Sequence, residues 1–182
     1  RAHLSEVAAL LQEATRALDP ERHRRAHGFA QMRLGLAYLS MPMRDASDAL
    51  RMGVAVRGLQ EAVRILRPET DPELWVTAAI NLANALQLLP SDHLERNLDR
   101  AVVLYDRALE LRSPEADPAG HARILLNKAQ ATASLNRREE AIDALTRVCP
   151  ILQRLGLNDE LSAARAMRED LKRALFVGGR EA

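Results

Sequence analysis

Cys149 is the only cysteine among 182 residues. A lone thiol excludes an intramolecular disulfide and a thiolate metal cluster, and it fits a reducing compartment such as the cytosol. Aromatic residues are scarce, with one Trp, two Tyr and two Phe, so single-stranded nucleic acid lacks a stacking platform. Net charge is nearly absent: 26 Lys and Arg against 25 Asp and Glu leave a formal +1, and no global field draws the chain to DNA, RNA or an anionic membrane. No apolar run approaches the roughly 18 residues of a membrane span. The opening RAHLSEVAALLQEA reads as an amphipathic helix interrupted by Gln12 and Glu13, and not as a signal peptide. Beginning at Arg1 and ending in Gly-Gly-Arg-Glu-Ala, the chain reads as a segment of something longer.

Catalytic signatures are missing too. The sequence has no glycine-rich phosphate loop, no nucleophile elbow and no paired carboxylates in an uncharged setting, so no enzyme activity and no cofactor are expected. Glu139-Glu140 and Asp159-Glu160 fall at helix starts, where negative charge is favourable for local reasons. Cys149, beside Pro150, reads as a small buried filler. His23 and His27 share a helix face four residues apart, but no third ligand and no zinc-protease motif accompany them, so no metal is expected and both read as solvated. His93, His121 and the terminal His3 stand alone. The basic run ERHRRAH at 21–27 is scattered around its helix and reads as a solvated face.

What the chain does have is leucine, alanine and a repeating register. Gly35, Ala83 and Ala129 each lie 28 residues after a small apolar residue (Val7, Ala55, Ala101) and 21 after an alanine (Ala14, Ala62, Ala108). A proline stands six residues past each of those alanines, at Pro20, Pro68 and Pro114, and the linkers RPETDP and SPEADP read alike. Four markers kept in step across three windows indicate a helical repeat.

Apolar spacing and capping signals place eight helices. The first runs from about Leu4 to Leu18, with Ser5 as a cap; the second from Pro20 to Leu39, ended by SMPMRDAS; the third from Ser47 to Leu66. The fourth starts at Asp71-Pro72 and ends near Leu89. After the LPSD turn, where Ser91 or Asp92 can cap and Asp92 and Glu95 have capping-box spacing, the fifth reaches Leu111. The sixth spans Pro118 to Leu135, the seventh Arg138 to about Leu152, and the eighth follows Asn158 to about Phe176. Residues 177–182 read as a frayed tail. Short connections leave neighbouring helices little option except antiparallel packing.

The pattern resembles the tetratricopeptide repeat (TPR) family. Leu34-Gly35 with Tyr38 and Leu82-Ala83 with Leu86 carry the likeness in first helices. Ala55/Leu59/Ala62, Ala101/Tyr105/Ala108 and Ala141/Leu145/Val148 carry it in second helices, and Val7/Leu11/Ala14 looks like a second helix without its first. The resemblance covers about residues 4–150. The markers recur after 46 residues from Ala55 to Ala101 and 40 from Ala101 to Ala141, against a family period of 34, and Gln31, Ala79 and Leu125 replace its usual aromatic. Trp75, seven residues before Leu82, fits longer-helix relatives of the repeat. The resemblance implies a right-handed all-α superhelix of stacked antiparallel hairpins, a TPR-like α-solenoid forming one domain over 1–182. Its parts are a half repeat at 4–18, hairpins at 20–66, 72–111 and 118–152, and a capping helix at 158–176. The other reading of the same helices is a non-repetitive bundle.

In this family the first helices line a concave groove that binds a peptide or partner helix. Carried onto this chain, the groove residues are Phe29, Arg33, Thr77, Asn81, Asn84, Gln87, Arg123, Asn127 and Gln130. Asn and Gln pair with peptide backbone whatever its sequence. Asn81 and Arg123 match carboxylate-clamping positions, but Met32 and Leu36 stand where the other half of the clamp needs Lys and Asn, so no complete clamp is expected. A solvated polar face is the bland alternative for the asparagines. The resemblance implies a cytoplasmic scaffold or adaptor for a protein or peptide, with no nucleic acid and no membrane. Two other readings stay open: a regulatory helical domain of a larger enzyme or signalling protein, held against another domain of the same polypeptide, and a homotypic assembly module acting through helix one.

Overall fold

A computed structural model describes residues 2–42 and 47–178. The described residues are all-α, forming eight helices without a strand. These are α1 (Ala2–Ala17), α2 (Arg24–Leu39), α3 (Ser47–Ile65), α4 (Pro72–Leu88), α5 (Leu94–Leu111), α6 (Pro118–Ser134), α7 (Arg138–Leu155) and α8 (Asn158–Gly178). Residues 43–46 of the expected breaker and 179–182 of the expected tail lie outside the described residues. The chain divides into two compact units, Arg1–Leu94 and Glu95–Ala182. Within each, helices pack in sequential hairpins, the packing of a helical solenoid.

In the first unit α2 is central, packed on α1 and α3 and touching α4, while α3 also packs on α4. Small residues make this possible. A Cβ built on Gly35 would stand 2.8 Å from Leu59 Cγ and 3.0 Å from the Ala55 carbonyl oxygen, so α2 and α3 approach as closely as the repeat register predicts. Gly28 meets Leu66 and Gly58 meets the Gln31 backbone in the same way. These contacts run in opposite chain order along the two helices, which makes the pair antiparallel. Ala55, Leu59 and Ala62 are fully enclosed at 0% exposure, and burying a leucine such as Leu59 contributes about 1.5–3 kcal/mol.

In the second unit α7 packs on both α6 and α8. Leu125, Ala129, Leu145, Val148, Leu152, Leu161 and Ala164 form one buried cluster there, and Cys149 belongs to it as an apolar filler. Lys128 of α6 pairs with Asp106 of α5 at 2.5 Å, and Arg137 pairs with Asp99.

The linkers correct several expected boundaries. Helix α2 begins at Arg24 and not at Pro20, because Asp19 closes a separate turn: its Oδ1 accepts from the backbone N–H of Glu21 and Arg22 at 2.8 and 3.3 Å. Ser5 lies inside α1, one turn past where a cap would sit. Before α5, the Ser91 hydroxyl oxygen accepts from the His93 N–H at 3.0 Å. Helix α7 runs through Pro150, as expected, and ends at Leu155, three residues past the expected Leu152. Pro150 removes one donor, but burial of Val148, Ile151 and Leu152 on the same helix outweighs that loss. Gly156 then ends the helix in the left-handed conformation, φ 70°, with the Leu157 N–H bonded to the Leu152 carbonyl.

Candidate functional site

All three proline linkers use one construction. Asp19, Arg67 and Ser113 each precede Pro-Glu, and their carbonyls accept from the N–H of His23, Asp71 and Asp117 at 2.8, 2.7 and 3.1 Å. Those residues in turn accept from His27, Trp75 and His121, at 2.8, 2.9 and 2.9 Å, one turn into the next helix. Ser113 repeats the capping geometry of Asp19, accepting from Glu115 and Ala116 N–H, while its hydroxyl donates to the Glu115 carboxylate and holds it below the usual carboxylate range.

His27 and His121 are buried, His27 contrary to the solvated position expected of it. Each Nδ1 bonds back to the carbonyl nine residues upstream, Leu18 for His27 at 3.0 Å and Arg112 for His121 at 2.7 Å. They are internal staples of the linkers. The spacing alone held this signal, since His27, Trp75 and His121 all stand eight residues before Gly35, Ala83 and Ala129.

Part of the basic run is likewise committed. Arg24 donates to the Ile65 carbonyl at 3.0 Å and Thr70 Oγ1 at 3.1 Å, and its Nη2 lies 2.8 Å from Asp71 Oδ2. Arg25 Nε approaches Asp71 Oδ1 at 3.4 Å. Burial opposes ionisation of Asp71, yet hydrogen bonds from Thr70 and Arg24, with the Arg24 charge, outweigh it and hold the carboxyl below its ordinary range. Asp71 therefore ties the start of α2 to the start of α4 instead of capping α4 with its side chain.

With their first turns joined, α2 and α4 run parallel and present one face. Phe29 and Arg33 are exposed on α2. On α4, Thr77, Asn81, Asn84 and Gln87 are half-buried. Thr77 Oγ1 donates to the Glu73 carbonyl at 2.8 Å and Asn81 Nδ2 to the Thr77 carbonyl at 2.7 Å, so both side chains spend a donor on their own helix. Near the C-terminal ends of α2 and α4, beside the early turns of α3, lies a cleft of about 320 Å³, lined by Tyr38, Leu39, Met41, Arg51, Met52, Asn81, Asn84, Ala85 and Leu88.

The cleft thus brings Asn81 and Asn84 together with residues the sequence reading had not assigned to binding. Tyr38, one of the residues that carry the repeat resemblance, accepts through its hydroxyl from Gln12 Nε2 at 2.7 Å. Leu88 is 69% exposed beside the cleft, an aliphatic side chain left off the buried stripe. In the second unit, Arg123 and Gln130 are exposed on α6 and Asn127 is half-buried between them. Among the described residues no three His, Cys, Asp or Glu side chains group as metal ligands, and no helix is long and apolar enough to cross a membrane. Compared with known protein families and with curated proteins, the chain matches none.

Proposed function

We propose that the chain is a TPR-like interaction module whose α2–α4 face binds a segment of another protein. One observation carries this reading: a predominantly apolar cleft is lined by two asparagine side chains, in a scaffold of stacked hairpins. A concave apolar surface with a few polar groups is the usual form of a binding site, and asparagine amides can pair with a peptide backbone. In this reading the module positions a partner and performs no catalysis, and Arg123, Asn127 and Gln130 offer a second polar row on α6. Amide hydrogen exchange with a twelve-residue peptide selected from a random display library tests it. Slowed exchange in α2 and α4 is expected; slowing confined to α3 or to the second unit would move the working surface elsewhere.

A second reading, self-association through α1, rests on a contrast between equivalent positions. Ala55, Leu59 and Ala62 of α3 are fully enclosed, whereas Val7, Leu11 and Ala14 of α1 are half-buried. Leu10 is 60% exposed on the same helix.

A further inference from the structure

Helix α1 leaves uncovered the face that its counterpart α3 buries. A shift of 48 residues carries α1 onto residues 50–65 of α3, and sets Val7, Leu11 and Ala14 on Ala55, Leu59 and Ala62. The same shift sets Leu10 on Gly58, Ala17 on Ile65 and Leu18 on Leu66. All six positions are buried in the α3 hairpin, and none of the six is buried at α1. Helix α2 covers them in the first case. A Cβ on Gly28 would stand 2.9 Å from Leu66 Cγ, one on Gly58 3.2 Å from the Gln31 carbonyl oxygen, and Gly35 meets Leu59 and Ala55. Against α1 the same helix α2 lies on another side, where Ala8 is buried with Leu34 and Ala37, and Val7 and Leu11 pack at the margin of that cluster.

We infer that this face of α1 docks an amphipathic α-helix of a partner protein, antiparallel to α1, with small residues at i, i+3 and i+7 of its contact row and Lys or Arg beside them. The occupant is a helix because a helix fills the equivalent face one repeat later, and stacked repeats cover like faces with like elements. Its small residues follow from the row that α2 presents to α3, which is Gly28, Gln31 and Gly35. Leu10, 60% exposed, stands where α3 has Gly58, so the middle residue must be Gly, Ala or Ser to leave room for the leucine. Covering the face removes that leucine and its neighbours from water. The charge follows from Glu6 and Glu13, both exposed, which lie one turn to either side of Leu10 and form one flank of the face. Arg16 lies further round the helix, beyond Glu13, and His3 opens the row in the first turn. The same glutamates separate a partner helix from a second copy: a two-fold antiparallel pairing of α1 with α1 sets one acidic flank against the other, and like charges so placed repel. The inference is independent of the α2–α4 reading.

The test is display selection on the whole chain from a library of eighteen-residue helices, after depletion on Leu10→Lys so that only binders needing this face remain. Enriched sequences should carry Gly, Ala or Ser at i, i+3 and i+7, with Lys or Arg beside that row. The synthetic peptides should slow amide exchange in α1. A variant combining Glu6→Lys with Glu13→Lys, both at exposed positions, should keep the parent's helical melt and bind these peptides at least tenfold more weakly. Selection repeated on that variant should turn the basic preference to Asp and Glu. Binders without the small-residue row, binders indifferent to the charge reversal, or a depleted library that yields none overturn the inference. A dimer that Leu10→Lys dissolves assigns the face to a second copy and overturns it as well. None of these outcomes touches the α2–α4 reading, which is decided by exchange in α2 and α4.

Discussion

The His27 ring donates through Nδ1 to the carbonyl oxygen of Leu18, 3.0 Å away, and so staples the start of the first linker, just past α1, to the first turn of α2. Its Nε2 faces the Gln31 side-chain nitrogen at 3.3 Å. A carbonyl can only accept, so the proton is on Nδ1, and Nε2 accepts from the Gln31 amide. His121 makes the same bond to Arg112 at 2.7 Å. Nitrogen-15 correlation spectra of the imidazoles at alkaline pH should therefore show both rings as the Nδ1–H tautomer. The commoner Nε2–H form at either residue would contradict the staple.

Two glycines on the same hairpin predict opposite outcomes. At Gly35 an added Cβ meets Leu59 Cγ and the Ala55 carbonyl oxygen, so Gly35→Ala should cost about 1–3 kcal/mol by overpacking. Gly53, inside α3, has nothing within 4 Å of the added carbon, so Gly53→Ala should gain about 0.5–1 kcal/mol from helix propensity alone. Urea melts read both. Equal effects of the two substitutions would remove the close-approach argument for Gly35.

Asp71 makes an acid-sensitive contribution to stability. Its folded carboxyl titrates below its ordinary range despite burial, because Thr70 and Arg24 bond the charged form. Folding therefore favours ionisation: this stability is fully present above the unfolded value of about 3.9 and is lost as pH falls through the lower folded value. Asp71→Asn should cost about 1.5–3 kcal/mol at pH 7, the scale of a hydrogen bond to a charged group, and should flatten the loss of stability below about pH 4. Unfolding midpoints at pH 7 and pH 3 measure both; an unchanged pH difference would assign the acid sensitivity to other carboxylates.

The half-buried stripe of α1 sets up a fourth expectation. If a second copy covers it, sedimentation velocity of the parent should show a concentration-dependent dimer that Leu10→Lys removes, since Leu10 is exposed and its replacement leaves the α1–α2 contact intact. A monomer at high protein concentration would end the self-association reading.

Much of the fold was legible because its constraints are local or periodic. Alanines and glycines at fixed intervals announced the helix contacts, and Gly35 against Leu59 lies where the register put it. Asp71-Pro72 and Asp117-Pro118 marked two helix starts correctly, and the Asp117 side chain accepts from the Gly120 N–H at 2.8 Å. What escaped the sequence involves partners far apart in the chain. Asp71 looked like a cap, and only the approach of α2 turns it toward Arg24 and Arg25. His27 looked solvated because its acceptor is a backbone carbonyl, which leaves no trace in residue type. The nine proposed groove residues divide between the two units, six on α2 and α4 and three on α6. Of the apolar cleft lining, Met41 and Leu88 carried no periodic signal, since residues at helix ends and in breakers fall outside the repeat, and Met52, inside α3, matched no repeat marker.

The central claim is that the α2–α4 face, and not the outer face of the hairpins, holds a protein segment. Titration calorimetry of one display-selected peptide against three proteins tests it most directly: the parent, a variant combining Arg33→Glu with Asn84→Ala, and a variant combining Arg57→Glu with Arg64→Glu on the exposed side of α3. The account predicts at least a tenfold loss of affinity in the first variant, about 1.4 kcal/mol, with the second within about twofold of the parent, about 0.4 kcal/mol. The reverse ranking, with matched helical melts, would contradict it.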